Sequence, residues 1–160
     1  MTEEKIDLVE PEKIPKIIDC SATVEELFNI GKKMEEICLK NKGIGLSAVQ
    51  VGIPYNFFIL YRNNKFEYYL DCSYEGNNDL IESVEGCLSL MNNDGSFRSF
   101  QLKRHSEVTI KGKYLKRYPE GNIKIKQFEK KENGFYGIVF QHEIDHAFGI
   151  LIFQIGKELE

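Results

Sequence analysis

The sequence predicts an α+β fold: antiparallel or mixed β-sheets packed around a C-terminal helix, with one further helix near the N-terminus. Three patterns carry this expectation. Apolar residues recur at helical spacing between Val24 and Cys38. They alternate with polar residues over Glu107–Leu115 and Ile123–Phe128. A second helical pattern runs from Gly134 to Ala147.

Residues 1–20 read as irregular, because Pro11 and Pro15 block regular helix. Thr23 fits a helix N-cap, with Glu26 placed to reach back in a capping box. Val24, Leu27, Phe28, Met34, Ile37 and Cys38 then share one face, and Gly43 is expected to stop the helix in a left-handed conformation. Asn56–Tyr61 and Phe66–Asp71 flank Arg62-Asn63-Asn64-Lys65, a hairpin turn. The strands at Glu107–Leu115 and Ile123–Phe128 flank Tyr118-Pro119-Glu120-Gly121, a second turn signal. Lys111–Arg117 carries four positive charges but alternates with apolar residues, so it reads as a strand with a solvated face. Asn133 is placed to cap the last helix and Gly149 to end it; Ile150–Ile155 reads as a short buried strand.

At 160 residues the chain suits a single domain, residues 1–160, with one core. Its net charge of −4 and the lack of a concentrated Lys/Arg segment argue against a nucleic-acid site. No apolar run approaches the roughly 20 residues of a membrane span. Met1-Thr2-Glu3-Glu4 is acidic and lacks an apolar signal region, so the expected location is the cytoplasm. Cys20, Cys38, Cys72 and Cys87 form no CxxC pair and read as thiols, with Cys20, Cys38 and Cys72 in the core.

The sharpest chemical signal is His142-Glu143-Ile144-Asp145-His146. On a helix, residues four apart share a face, so both imidazoles can hold one ion while Glu143 handles a proton beside it. Two surface histidines matching HExxH by chance is the bland alternative; His105, outside the motif, is expected at the surface. A catalytic centre usually has three protein ligands. Ile152 occupies the place where some proteases carry a third histidine, and Glu158 and Glu160 lie close behind, so the third ligand is sought upstream. Cys87, in Glu85-Gly86-Cys87-Leu88-Ser89, is the best candidate, against the alternative of a small buried hydrophobe. Gly43-Ile44-Gly45-Leu46-Ser47-Ala48-Val49-Gln50 lacks the Lys-Ser/Thr of a phosphate loop. It reads better as exposed backbone for pairing an extended peptide, with the Gln50 amide available to a developing oxyanion.

These three segments together resemble the peptide deformylase family, which carries GxGLAAxQ, EGCLS and QHExDH in this order. Here they are Gly43–Gln50, Glu85–Ser89 and Gln141–His146, with the last two intact, and the similarity spans roughly residues 24–155. The resemblance implies that Cys87, His142 and His146 bind one divalent metal. Ferrous iron is the family's native ion, with Zn2+, Ni2+ or Co2+ able to substitute. It implies that Glu143 is the general acid/base, and that Gln50 and the Leu88 N–H stabilise the oxyanion. Gly45 would pair with the substrate backbone, and Ile44, Ile138 and Val139 would form the methionine pocket. The substrate would be an N-formyl-methionyl peptide, met on newly made or ribosome-borne chains. Departures from the pattern are Ser47 for an alanine, Ala147 for a leucine, and Leu90-Met91-Asn92 where a Pro-Gly often stands. Asn92–Ser96 reads as a mobile polar loop at the outer subsites. The chain stops fourteen residues after His146, as in short forms that occur among phage-encoded enzymes. Two other readings are an HExxH zinc endoprotease and a non-catalytic formyl-peptide or metal-binding member of the family.

Overall fold

The computed structural model describes residues 5–160, so the acidic Met1-Thr2-Glu3-Glu4 lies outside the described residues. In chain order the elements are helix α1 (Val24–Lys40) and strands β1 (Gly45–Ser47), β2 (Phe57–Arg62), β3 (Lys65–Gly76), β4 (Leu80–Glu85), β5 (Phe100–His105), β6 (Glu107–Arg117) and β7 (Ile123–Asn133). Helix α2 (Gly134–Ala147), the short helix α3 (Ile152–Ile155) and strand β8 (Lys157–Glu158) complete them. Single-turn 3-10 helices lie at Pro11–Lys13 and Ala48–Val51. One sheet has the order β1-β2-β3-β6-β7 and the other β4-β5-β8. Every recorded strand pairing is antiparallel.

Helix α1 begins as its sequence predicts: the Thr23 hydroxyl accepts the Glu26 N–H at 3.1 Å. Leu27, Gly31, Met34 and Cys38 form its buried stripe, and their spacing of three and four residues turns them all toward β2 and β3. There they pack with Leu46, Phe57, Ile59, Tyr68 and Leu70. The stop differs from expectation. Lys42, at φ 58°, takes the left-handed position, and the Gly43 N–H returns to the Cys38 carbonyl at 2.8 Å. Gly43 is small for another reason: a Cβ there would lie 3.0 Å from Leu88 Cδ1 and 3.2 Å from Cys38 Sγ. The stop of α1 is thereby packed against the segment that carries Cys87.

The β2–β3 hairpin turns through Asn63 and Asn64, both at positive φ, with Arg62 paired to Lys65. A two-residue turn needs this backbone to match the twist of its strands, and asparagine tolerates it best after glycine. The β6–β7 hairpin pairs from Glu107–Asn133 to Arg117–Ile123, longer than the sequence alternation alone delimits. Between β3 and β6 the register slips at Leu70/Ser73, with Asp71 at φ 54°. Gly112 faces this irregularity, where a Cβ would sit 2.5 Å from Cys72 Sγ and 2.8 Å from Cys72 Cα.

Helix α2 packs Phe140 and Ile144 into a second core with Phe58, Leu60, Tyr69, Val108 and Ile110. Asn133 stands at its N-cap but makes no side-chain cap bond. Gln141 fixes the helix to the neighbouring strand: its Oε1 accepts the His105 N–H at 3.0 Å, and its Nε2 donates to the His105 carbonyl at 2.9 Å. His105 is accordingly half-buried, not a surface residue; its ring lies over Gly76, where a Cβ would collide with it.

The expected strand at Ile150–Ile155 is instead a helical turn, Ile152–Ile155, and the strand follows at Lys157–Glu158. An apolar run this short fits either state by periodicity. Two local bonds select the helix. Gln154 Oε1 accepts the Leu151 N–H at 2.8 Å, and the Gly156 N–H donates to the Ile152 carbonyl at 2.8 Å. Only Leu151 and Ile152 of this run are fully buried, while Phe153 and Ile155 are exposed.

Gly112→Ala should lower stability by about 1–3 kcal/mol, because the added methyl meets backbone that cannot move aside cheaply. Urea unfolding measures this; an unchanged midpoint would show that the β3–β6 irregularity relaxes freely.

Candidate metal centre and active site

Helix α2 places His142 and His146 one turn apart, and the segment after β4 brings Cys87 against them. One ligand atom from each lies within 4.8 Å of the other two. Cys87 Sγ is 3.6 Å from His146 Nε2. His142 Nδ1 is occupied by Glu85 Oε1 at 2.8 Å, which leaves Nε2 to face the cluster. A thiolate with two imidazoles suits a first-row divalent ion such as iron, nickel, cobalt or zinc, and three ligands leave a position free for substrate or water.

Behind the ligands lies a chain of buried charges. The Arg104 guanidinium grips Glu85 through two bonds of 2.8 Å and donates a third, of 2.6 Å, to Asp145 Oδ2. The Tyr74 hydroxyl donates to the other Asp145 oxygen at 2.7 Å. Arg104 is 3% exposed, so these bonds are made largely out of water and leave little freedom. Burial works to raise the Glu85 pKa, yet the bonds from Arg104 and His142 hold it down at about 2. Burial likewise works against protonated His142, but its bonds to Cys87 and Glu85 push its pKa up to about 10 in the metal-free protein. His146 is pushed well below its usual value by burial and by the positive charge of His142. A divalent ion bound by His142 would have to displace the His142 proton, so metal and proton compete for one site.

Glu143 projects from α2 against β1. A Cβ on Gly45 would lie 2.8 Å from Glu143 Oε2, so only glycine leaves room for the carboxylate here. Burial raises the Glu143 pKa to about 7, opposed by the charge of His142. Ser47, which departs from the family alanine, donates its hydroxyl to the Glu143 carbonyl at 2.9 Å and ties β1 to α2. The Ser47 N–H holds Gln50 Oε1 at 2.9 Å, which turns Gln50 Nε2 toward Cys87 Sγ (3.4 Å) and Ser89 Oγ (3.0 Å). Among the described residues the Leu88 N–H has no hydrogen-bond partner, so this donor is unspent.

A cavity of about 530 Å³ opens in front of this cluster. It is lined by Ile44, Gly45, Gln50, Cys87, Leu88, Ile138, Val139, His142 and Glu143, which are the residues singled out from sequence apart from His146. His146 lies beneath, 2% exposed.

The sequence matches the polypeptide deformylase family over residues 12–160. The chain belongs to the peptide deformylase family. Peptide deformylase from Helicobacter hepaticus is 32% identical over 137 residues, which are 79% of this chain and 68% of that protein. The enzyme from a Helicobacter pylori strain is 33% identical over 126 residues, covering 74% of this chain and 65% of that one. The chain thus spans about two thirds of the length of these relatives. The crystal structure of a plant peptide deformylase superposes with a TM-score of 0.75 at 26% identity, covering 97% of this chain and 82% of the plant chain. Metal dependence follows from membership in this family.

Glu85, Arg104, Asp145 and Tyr74 were not singled out from sequence. The signal for Arg104 was present: in β5, Phe100, Leu102 and Arg104 alternate inward, and an arginine on an apolar face needs acidic partners. Cys38 and Cys72 are buried with their pKa values raised to about 12, and Cys20 packs partly against the core, as expected of thiols outside the site.

Glu85→Gln should weaken metal binding about 10–100-fold, since it exchanges the carboxylate that orients His142 for a neutral amide. Competition with a chelator measures this, and an unchanged affinity would remove Glu85 from that role. The same carboxylate gives an acid dependence. Its folded pKa of about 2 lies below the ordinary 4.5, so its contribution to stability is complete above about 4.5 and is lost as pH falls toward 2. Metal-free Glu85→Gln protein should therefore lose less stability than wild type across that window in urea titrations.

Proposed function

We propose that this chain removes the formyl group from the N-terminal methionine of newly made polypeptides, releasing formate, in the cytoplasm. The ion is one divalent metal, ferrous iron by family habit, held by Cys87, His142 and His146. The observation that carries the reading is Glu143: a buried carboxylate wedged against Gly45, near three converging side chains that could hold a metal, in the lining of a cavity between two sheet edges. A metal-storing or purely structural site has no need of such a group.

The cavity runs between β1 and β4, which among the described residues pair only with β2 and β5 respectively. An extended peptide entering there can add itself to these edges by backbone hydrogen bonds. Its first side chain then meets Ile44, Ile138 and Val139, an apolar lining that suits methionine. A divalent ion held by Cys87, His142 and His146 would supply Lewis acidity at this end of the cavity. Glu143, poised near pH 7, accepts the proton of the attacking water and returns it to the departing amine. Gln50 Nε2, turned toward Cys87 Sγ, and the unpaired Leu88 N–H are the donors for the oxyanion as charge develops. Arg104 and Asp145 keep α2 fixed while this happens.

The reading is tested by formate release from formyl-Met-Ala-Ser with iron-loaded protein under anaerobic conditions. Formate is the expected product. Cleavage of an internal bond would indicate an endoprotease, and tight binding without cleavage a recognition module. Glu143→Gln, which keeps the shape but cannot take the proton, should retain metal while turnover falls at least about 100-fold. Near-normal turnover would remove Glu143 from proton transfer.

A further inference from the structure

The mouth of the cavity is apolar in a way the deformylation chemistry does not require. Val84 is 63% exposed, Phe135 58%, Ile44 38% and Phe97 38%, and all four line the cavity. Large apolar groups left in water around a binding cleft mark a recognition surface. Three walls of the cleft come from the chain before and along β1, from the β4–Cys87 segment and from α2. Besides Gln50, whose amide is turned to Cys87 and Ser89, Phe97 is the lining residue that belongs to none of these walls.

Phe97 is held there by a built turn. Met91 and Phe97 form a β-bridge, the Asn92 N–H donates to the Ser96 carbonyl at 2.8 Å, and the Gly95 N–H donates to the Asn92 carbonyl at 3.0 Å. The Asp94 carboxylate accepts both the Ser96 N–H (2.9 Å) and its hydroxyl (2.6 Å). Gly95, at φ +85°, allows the reversal. The next residue, Arg98, is anchored away from the cleft by a two-bond ion pair with Glu158. The polar loop read from sequence is thus closed on itself and presents one aromatic ring. That ring rests on Gly86, beside the ligand Cys87; a Cβ at position 86 would lie 2.9 Å from Phe97 Cδ1.

We propose that Phe97 is a specificity-determining residue whose ring walls a subsite for an apolar, above all aromatic, side chain directly after the formylated methionine. The proposal rests on the deformylase reading. In an extended peptide successive side chains point to opposite faces. With the methionine directed to Ile138 and Val139 on α2, the second side chain points away from that helix, and Phe97 is the aromatic residue of the lining outside α2. Glu82, at the same mouth, works against an acidic residue there.

The test is kcat/KM for formyl-Met-X-Ser with X as Phe, Leu, Ala or Asp, in wild type, Phe97→Ala and Phe97→Leu. Within each protein the Phe/Ala ratio is the readout, so any general loss of activity cancels. Wild type should favour Phe over Ala by about tenfold, Phe97→Leu should keep part of that preference, and Phe97→Ala should bring the ratio near one. A ratio near one in wild type, or a preference unchanged in Phe97→Ala, overturns the proposal. Calorimetric titration with the product peptides Met-Phe-Ser and Met-Ala-Ser gives the same ratio without turnover. Absence of formate from every peptide would defeat the deformylase reading, while the binding ratio still decides the subsite.

Discussion

The arrangement of the centre depends on one buried arginine. Arg104 reaches from β5 to Glu85 at the end of β4 and to Asp145 within α2. Three elements that are far apart in the chain are thereby locked at one point. Glu85 lies two residues before Cys87, and Asp145 lies between His142 and His146. Holding these two carboxylates therefore sets the distance between the sulfur ligand and the nitrogen ligands. Lysine would not serve, because a single ammonium cannot offer a planar fork to one carboxylate and a further donor to a second.

Such an assembly is not an obvious gain in stability. Burying an arginine and two carboxylates costs desolvation that the ion pairs only partly offset, and an apolar replacement of similar shape is often as stable. What the charges supply is orientation. Glu85 fixes the His142 ring through Nδ1, so Nε2 is left to the cluster with Cys87 and His146. Glycines complete the geometry from the other side. Gly45 admits the Glu143 carboxylate and Gly86 admits the Phe97 ring, each at a distance where any side chain would collide. The Glu143 carboxylate and the mouth of the cleft are both placed by absent side chains.

Much of this was legible in the sequence, and the physics explains which parts. The β2–β3 hairpin and both long helices follow from local rules: turn residues, a cap and periodicity. The His142–His146 pair follows from helical spacing, and the cleft gathers Gln50, Cys87 and Leu88 around it as the three segments suggested. What local rules miss is non-local. Alternation in β5 puts Arg104 on the face of Phe100 and Leu102, but only tertiary contact shows that its partners are Glu85 and Asp145. The apolar run at Ile150–Ile155 became a helical turn because Gln154 caps it, a bond that periodicity does not register. His105 is drawn inward by Gln141 and by the space over Gly76, both remote in sequence.

The central claim is that one sulfur and two imidazole nitrogens converge on a single ion. X-ray absorption spectroscopy of the metal-loaded protein tests it most directly. The account predicts one sulfur scatterer near about 2.3 Å and two imidazole nitrogens near about 2.0–2.1 Å if zinc is bound, with a remaining light-atom position. A spectrum without sulfur, or with more than one sulfur, would contradict it.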